Sequence, residues 1–155
     1  MKRLIALLML MIIPLAVFGF AAAADEEGMT CESLAEAVLA SAEFRELTDM
    51  TERYLEKYLI LSAEDLEEWV FKRDASRATP EMILIMKVRE SADPALIKQT
   101  AQELRDEQLL LYRDYQPAEV FKLENAQVLE NGPFIALVVS PDPQASIAAL
   151  GEGWK

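Results

Sequence analysis

The sequence predicts an α+β domain: four mainly antiparallel strands in two hairpins, packed by one long helix, with N-terminal helices before them and a short C-terminal helix after. Three observations lead there. Two apolar runs, Met82–Val88 and Phe134–Ser140, each follow another strand-like run across a turn-like stretch. Between the two pairs, Asp93-Pro94 opens a segment whose apolar residues recur at three- and four-residue spacing, the period of a helix with one buried face. The resulting order, α-α-β-β-α-β-β-α, places hairpins against helices, as α+β domains do.

Each element has a local reason. Thr30 is a capping residue for a helix from Cys31 to about Phe44, with Cys31, Leu34, Ala35, Val38, Leu39 and Ala42 on one stripe. A second helix is expected from Thr51 to Leu59, turning Leu47, Met50, Tyr54, Leu55, Tyr58 and Leu59 inward. Ser62 followed by Asp65 resembles a capping box and suggests a helical turn over Ala63–Glu68. Trp69-Val70-Phe71 then starts the first strand, residues 74–80 form a polar loop, and Met82–Val88 is the second strand. Asp93 and Pro94 supply a capping acid and a proline at the first helical position. That helix should reach Tyr112 or Arg113, with Ile97, Thr100, Ala101, Leu104, Gln108, Leu111, Tyr112 and Tyr115 on one face. Leu123–Glu130 and Phe134–Ser140 bracket Asn131-Gly132, a strong hairpin signal because both residues tolerate positive φ. Asp142-Pro143 opens a last helix that Gly151 ends.

Two of these strands constrain the architecture. Met82–Met86 and Phe134–Val139 are apolar at nearly every position rather than at alternate ones. Strands of that kind are buried on both faces. One face takes the long helix. The other needs the N-terminal helices or a partner, which includes a second copy of the chain.

The N-terminus points to export. Lys2 and Arg3 precede 21 uncharged residues, Leu4 to Ala24. Pro14 and Gly19 interrupt that run, four alanines end it, and Asp25-Glu26-Glu27 follow. This is the pattern of a signal peptide over residues 1–24 with cleavage after Ala24, a short acidic linker over 25–30, and a single domain over 31–155. The length also suffices for a retained membrane anchor, the one route by which this chain would engage a membrane. Either way the domain lies outside the cytoplasm, secreted or associated with the cell envelope. Cys31 sits beyond Gly28, Met29 and Thr30 and is separated from the apolar core by three acids, a poor lipid-attachment context. As the only cysteine it forms no internal disulfide. It reads as a small apolar residue on a helix, or else as a site for intermolecular pairing.

Composition narrows the function further. Removing residues 1–24 takes away Lys2 and Arg3 but no acid, so the net charge moves from −12 to −14. A surface of that sign opposes binding to nucleic acid or anionic lipid. The sequence has no histidine, which excludes Ser-His-Asp and Cys-His arrangements within the chain and removes the commonest zinc ligand.

The stretches "YLILSAEDLEEWVF", "PEMILIMKV", "LYRDYQP" and "AQVLENGPFIALVVSPDP", spread from Tyr58 to Pro143, resemble a family of bacterial extracytoplasmic proteins known as domain of unknown function 4358. The resemblance covers about two thirds of the chain left after the leader. It implies an N-terminal leader, often with a lipid-attachment cysteine, a pattern from which Cys31 departs. It implies no activity.

No residue is assigned a catalytic, cofactor-binding or metal-binding role, and no cofactor is expected. Several groups invite the question. Glu64, Asp65, Glu67 and Glu68 are densely acidic, but lack the glycine and alternating acids of a calcium loop and read as a solvated helix end. Lys72, Arg73 and Arg77 are the one local concentration of base, conceivable as a site for an anion or acidic polymer. Lys87 and Arg89 should lie opposite Glu67 and Glu68. Met82 and Met86 read as core rather than as copper ligands. Glu81 at a strand entrance and Tyr115 at a helix exit could line a cleft. The leading expectation is a non-catalytic exported domain that binds an envelope protein or polymer, or itself. A small-ligand carrier with a helix–sheet pocket and a carboxylate-based hydrolase are the alternatives.

Overall fold

A computed structural model describes residues 28–155; the leader and residues 25–27 of the acidic linker lie outside the described residues. The fold is α+β, with a five-stranded, wholly antiparallel sheet rather than a four-stranded one. Its strands are β1 (Thr48–Asp49), β2 (Leu66–Arg73), β3 (Met82–Val88), β4 (Val128–Asn131) and β5 (Phe134–Val139), in the spatial order β1-β2-β3-β5-β4. The helices are α1 (Cys31–Ser41), α2 (Glu52–Leu59), α3 (Pro94–Tyr115), α4 (Val120–Glu124) and α5 (Pro143–Ala149).

The central strand decides the layering. Every residue of β3 except Lys87 is buried, and so is every residue of β5. Phe71, Leu84, Leu137 and Val128 form one cross-strand row toward α2, α3 and α4. Val70, Ile85, Ala136 and Leu129 form the next row on the opposite face, where Leu34, Ala35 and Val38 of α1 and Leu150 after α5 pack with half-buried Trp154. The second face is therefore covered by the chain's own helices, and the domain has three layers. Ser41, Ser146 and Ser140 link α1, α5 and β5 by hydroxyl contacts of 3.0 and 2.7 Å, which satisfies polar groups the layer would otherwise bury unpaired.

Caps start the helices where the sequence places them. Thr30 and Ser33 form a reciprocal capping box on α1. Asp93 accepts from the Ala95 and Leu96 amides on α3, and Asp142 from the Ala145 amide on α5. Burial on α3 covers Ile97, Thr100, Ala101, Leu104, Gln108 and Tyr112, whereas Leu111 and Tyr115 are exposed. The inward stripe is thus narrower than the apolar sequence pattern. The edges of the sheet are short. β1 closes one side with two residues, and on the other the Glu130 and Lys155 backbones exchange hydrogen bonds of 2.9 and 3.2 Å. Such edges discourage pairing with another chain.

Four expectations need correction. β1 is absent from the sequence reading because Thr48 and Asp49 are both exposed and carry no apolar alternation. The turn at Ser62 is a 3-10 turn over Ala63–Asp65 only, so β2 begins at Leu66, with a bulge before Glu68. Residues expected at the start of the fourth strand belong to α4. Pro117 opens a 3-10 turn that runs into this helix, which buries Lys122 and Leu123. The last hairpin turns on Gly132-Pro133, since Asn131 pairs with Phe134 and only Gly132 takes positive φ, at 55°. Glycine at the first central position of a two-residue turn suits the twist of the flanking strands.

Ile60, the C-cap of α2, adopts the left-handed conformation at φ 51°, ψ 40°, and its side chain is 85% exposed. A β-branched residue there costs about 1–2 kcal/mol, with little packing to offset it. Ile60→Gly is expected to raise stability by about 0.5–1 kcal/mol after the entropy cost of glycine, measured as a higher urea midpoint at unchanged slope. A fall in stability would show that Ile60 holds its place by contacts.

Candidate functional site

One end of the sheet gathers the structure's chemically distinctive groups. It is built by the 42–47 segment, β1, the start of α2 and the loop between β2 and β3. That loop is held by Asp74, whose carboxylate accepts from the Ser76 amide at 2.8 Å, the Ser76 hydroxyl at 2.5 Å and the Thr79 amide at 3.0 Å. Burial works against the Asp74 charge, but these bonds outweigh it and hold the carboxyl below its ordinary value. Tyr112 of α3 reaches the same loop, donating to the Thr79 carbonyl at 2.6 Å, with the Arg77 carbonyl at 3.1 Å. Burial pushes its phenol up to about 12, so at neutral pH it stays a donor. Pinned at both ends, the loop carries Arg77 at a left-handed φ of 61°.

Three adjoining cavities open here. The first, about 620 Å³, is broad and lined by Arg45, Glu46, Thr48 and Asp74 to Ser76. The second, about 280 Å³, lies between β1, α2 and the loop, with Met50, Tyr54, Tyr58, Arg73 and Arg77 in its wall. It shares Thr48, Asp74 and Ala75 with the first, and Tyr54 with a third of about 240 Å³ lined also by Arg53 and Lys57. Five basic residues, beside the acids Glu46, Asp49 and Asp74, therefore line these adjoining cavities.

Among the described residues two cations are buried, Arg73 and Lys122, and their surroundings differ. Lys122 of α4 bonds Glu81 at 2.7 Å and Glu119 at 2.5 Å. Glu81 also accepts from the Arg45 amide at 2.6 Å. Burial works against the Lys122 charge, while the hydrogen bonds to Glu119 and Glu81 prevail and raise its pKa. Arg73 has no carboxylate partner among the described residues. Its guanidinium lies 4.8 Å from the centre of the Tyr58 ring, and its Nη1 has no hydrogen-bond partner. A desolvated cation–π contact is worth about 2 kcal/mol or somewhat more, which offsets only part of the several kcal/mol that burying an unpaired cation costs.

The residues singled out in the sequence are dispersed. Arg73 and Arg77 share the second cavity, while Lys72 faces away and bonds Asp49 at 2.5 Å. Glu81 is buried and tied to Lys122, and exposed Tyr115 packs edge-on against Tyr112, so the two make no common polar site. Lys87 pairs with Glu67 at 2.9 Å, whereas Arg89 bonds the Glu64 carbonyl instead of a carboxylate. Glu68 accepts from the Cys31 amide. Cys31 is buried, and burial, then the Glu68 charge, raises its thiol to about 12. Met82 and Met86 lie in the core beside Leu84. Among the described residues, no three His, Cys, Asp or Glu side chains are grouped to hold a metal ion, and no helix is long and apolar enough to cross a membrane. Tyr54 and Tyr58 were missed as cavity residues, because their helical spacing reads as an inward face.

A family model described as a domain of unknown function, DUF4358, matches residues 40–140. The chain belongs to this family. The DUF4358 segment contains the whole sheet and every residue named in the cavities, and stops short of α5. No curated protein and no solved structure matches the chain.

The buried ion pair is open to a direct check. Lys122→Met is expected to destabilise the protein by about 3 kcal/mol, since it strands a buried carboxylate. Adding Glu81→Gln should recover part of that loss, as urea unfolding of both variants would measure. A loss below about 1 kcal/mol, the size of an exposed pair, contradicts this account of Glu81.

Proposed function

We propose that this DUF4358 protein is a non-catalytic binding domain acting outside the cytoplasm, and that it recognises an envelope protein or polymer at the end of the sheet. The observation that carries the reading is the run of three adjoining cavities with cations in their walls. Export rests on the leader pattern of residues 1–24. The buried carboxylates support a binding role over a hydrolytic one: Asp74 is consumed by its own loop and Glu81 by Lys122 and the Arg45 amide. Neither is free to take a proton from a substrate.

A small-ligand carrier is the second reading, favoured by the apolar wall of the second cavity. Size weighs against it. Pockets that engulf a small ligand occupy about 300–1,000 Å³, and this one, at about 280 Å³, accommodates an end group better than a whole molecule.

A photo-crosslinking amino acid at Tyr54, in the full chain made in its own cells, is expected to give a discrete adduct in the envelope fraction. The same group at Glu107, on the exposed side of α3, should give none. Equal labelling from both positions, or none from either, would contradict the proposal.

A further inference from the structure

The second cavity is lined by a buried cation that lacks a counter-charge. Arg73, 5% exposed at the end of β2, meets no carboxylate among the described residues, and its Nη1 has no hydrogen-bond partner. The contrast with Lys122, equally buried and held by two carboxylates, shows how this fold treats a buried cation that serves packing alone. The acids that line the same cavity are committed elsewhere: Asp74 to Ser76 and Thr79, and Asp49 to Lys72. Among the described residues Gln108 Oε1 is the other buried side-chain atom without a partner, and no hydrogen bond joins it to Arg73. Buried polar groups without partners are rare in native proteins and call for a specific cause.

We propose that the second cavity binds an organic monocarboxylate, its carboxylate taken by Arg73 with Arg77 at the rim and its apolar body lying against Met50, Tyr54 and Tyr58. The planar guanidinium fork matches a carboxylate in two parallel hydrogen bonds. The stacked Tyr54 and Tyr58 rings, 6.2 Å apart, supply a flat apolar surface. A single negative charge fits better than a phosphate dianion, because the Asp74 carboxylate shares the wall and would repel a doubly charged group more strongly. The volume suits one ring or one short side chain, as at the end of a peptide or an aryl-substituted acid. This inference rests on reading the sheet end as the binding face, and specifies what that face accepts.

The test is a titration of the protein, in the form its own cells produce, with phenylacetate, followed by NMR of the Met50 methyl and the Tyr54 and Tyr58 rings. Saturable shifts at these groups are expected at millimolar concentrations. Phenylacetamide, which keeps the shape without the charge, should bind at least about tenfold more weakly, as should inorganic phosphate. Arg73→Met should abolish the shifts, Arg77→Gln should weaken binding several-fold, and Arg113→Met, on exposed α3, should leave it unchanged. Should Arg73→Met fail to fold, the amide comparison and Arg77→Gln still decide. No saturable shift, equal binding of the amide, or tighter binding of phosphate overturns the proposal. If phenylacetate fails while the Tyr54 crosslink forms, the binding face stands and the carboxylate falls. If both fail, the face falls too.

Discussion

Strands β3 and β5 have almost no polar side chain to offer water, and that constraint organises the rest of the molecule. An antiparallel sheet with one wet face would alternate apolar and polar residues along each strand. Here Ile83, Ile85, Ala136 and Val138 are as buried as Leu84, Met86, Ile135 and Leu137. At about 1.5–3 kcal/mol for each large side chain withdrawn from water, leaving one face open would forfeit more than the net stability of an ordinary domain. The chain meets this demand with α1 and α5 on one side and α2, α3 and α4 on the other. That arrangement draws in residues far apart in sequence, including Trp154 near the C-terminus and Leu34 near the start of the described chain.

Covering both faces has a functional consequence. A sheet sandwiched by its own helices offers recognition surface mainly at strand ends and on helix exteriors. The β2–β3 end is the more elaborate in this fold. Asp74 pins the connecting loop from within, Tyr112 pins it from α3, and Glu81 and Lys122 tie its far side to α4. Rigid loops on packed scaffolds are where binding groups concentrate. The left-handed Arg77 and the unpaired Arg73 sit on such a support, and local strain of this kind tends to gather at functional sites.

How much of this was legible in the sequence differs by element. The three-layer demand was visible in the uninterrupted apolar runs of β3 and β5, although the runs did not say which segment would answer it. Asp93-Pro94 and Asp142-Pro143 marked their helices because capping is a local interaction between neighbours in the chain. β1 escaped notice because two exposed residues have no period, and α4 because Leu123, Ala126 and Val128 fit a strand as readily as a short helix. The site was harder. Arg73 and Arg77 stood out as a basic cluster, but their cavity exists only because residues 48–58 fold back over 73–77. Lys72, their neighbour, faces the opposite side of the strand and has a different role. Tyr54 and Tyr58 carried the signature of a core face, and the distinction between a core face and a cavity wall lies in what stands opposite, which no local pattern encodes.

The double coverage of the central strands is tested most directly by native-state hydrogen exchange resolved by residue. The β3 and β5 amides should exchange only through global unfolding, with α1 and the 42–47 segment opening no more than locally under native conditions. If α1 and α5 instead open together as a separate unit, releasing β3 and β5 amides well below the global unfolding free energy, the second layer is a loose cover. The sheet face would then return as a surface for a partner.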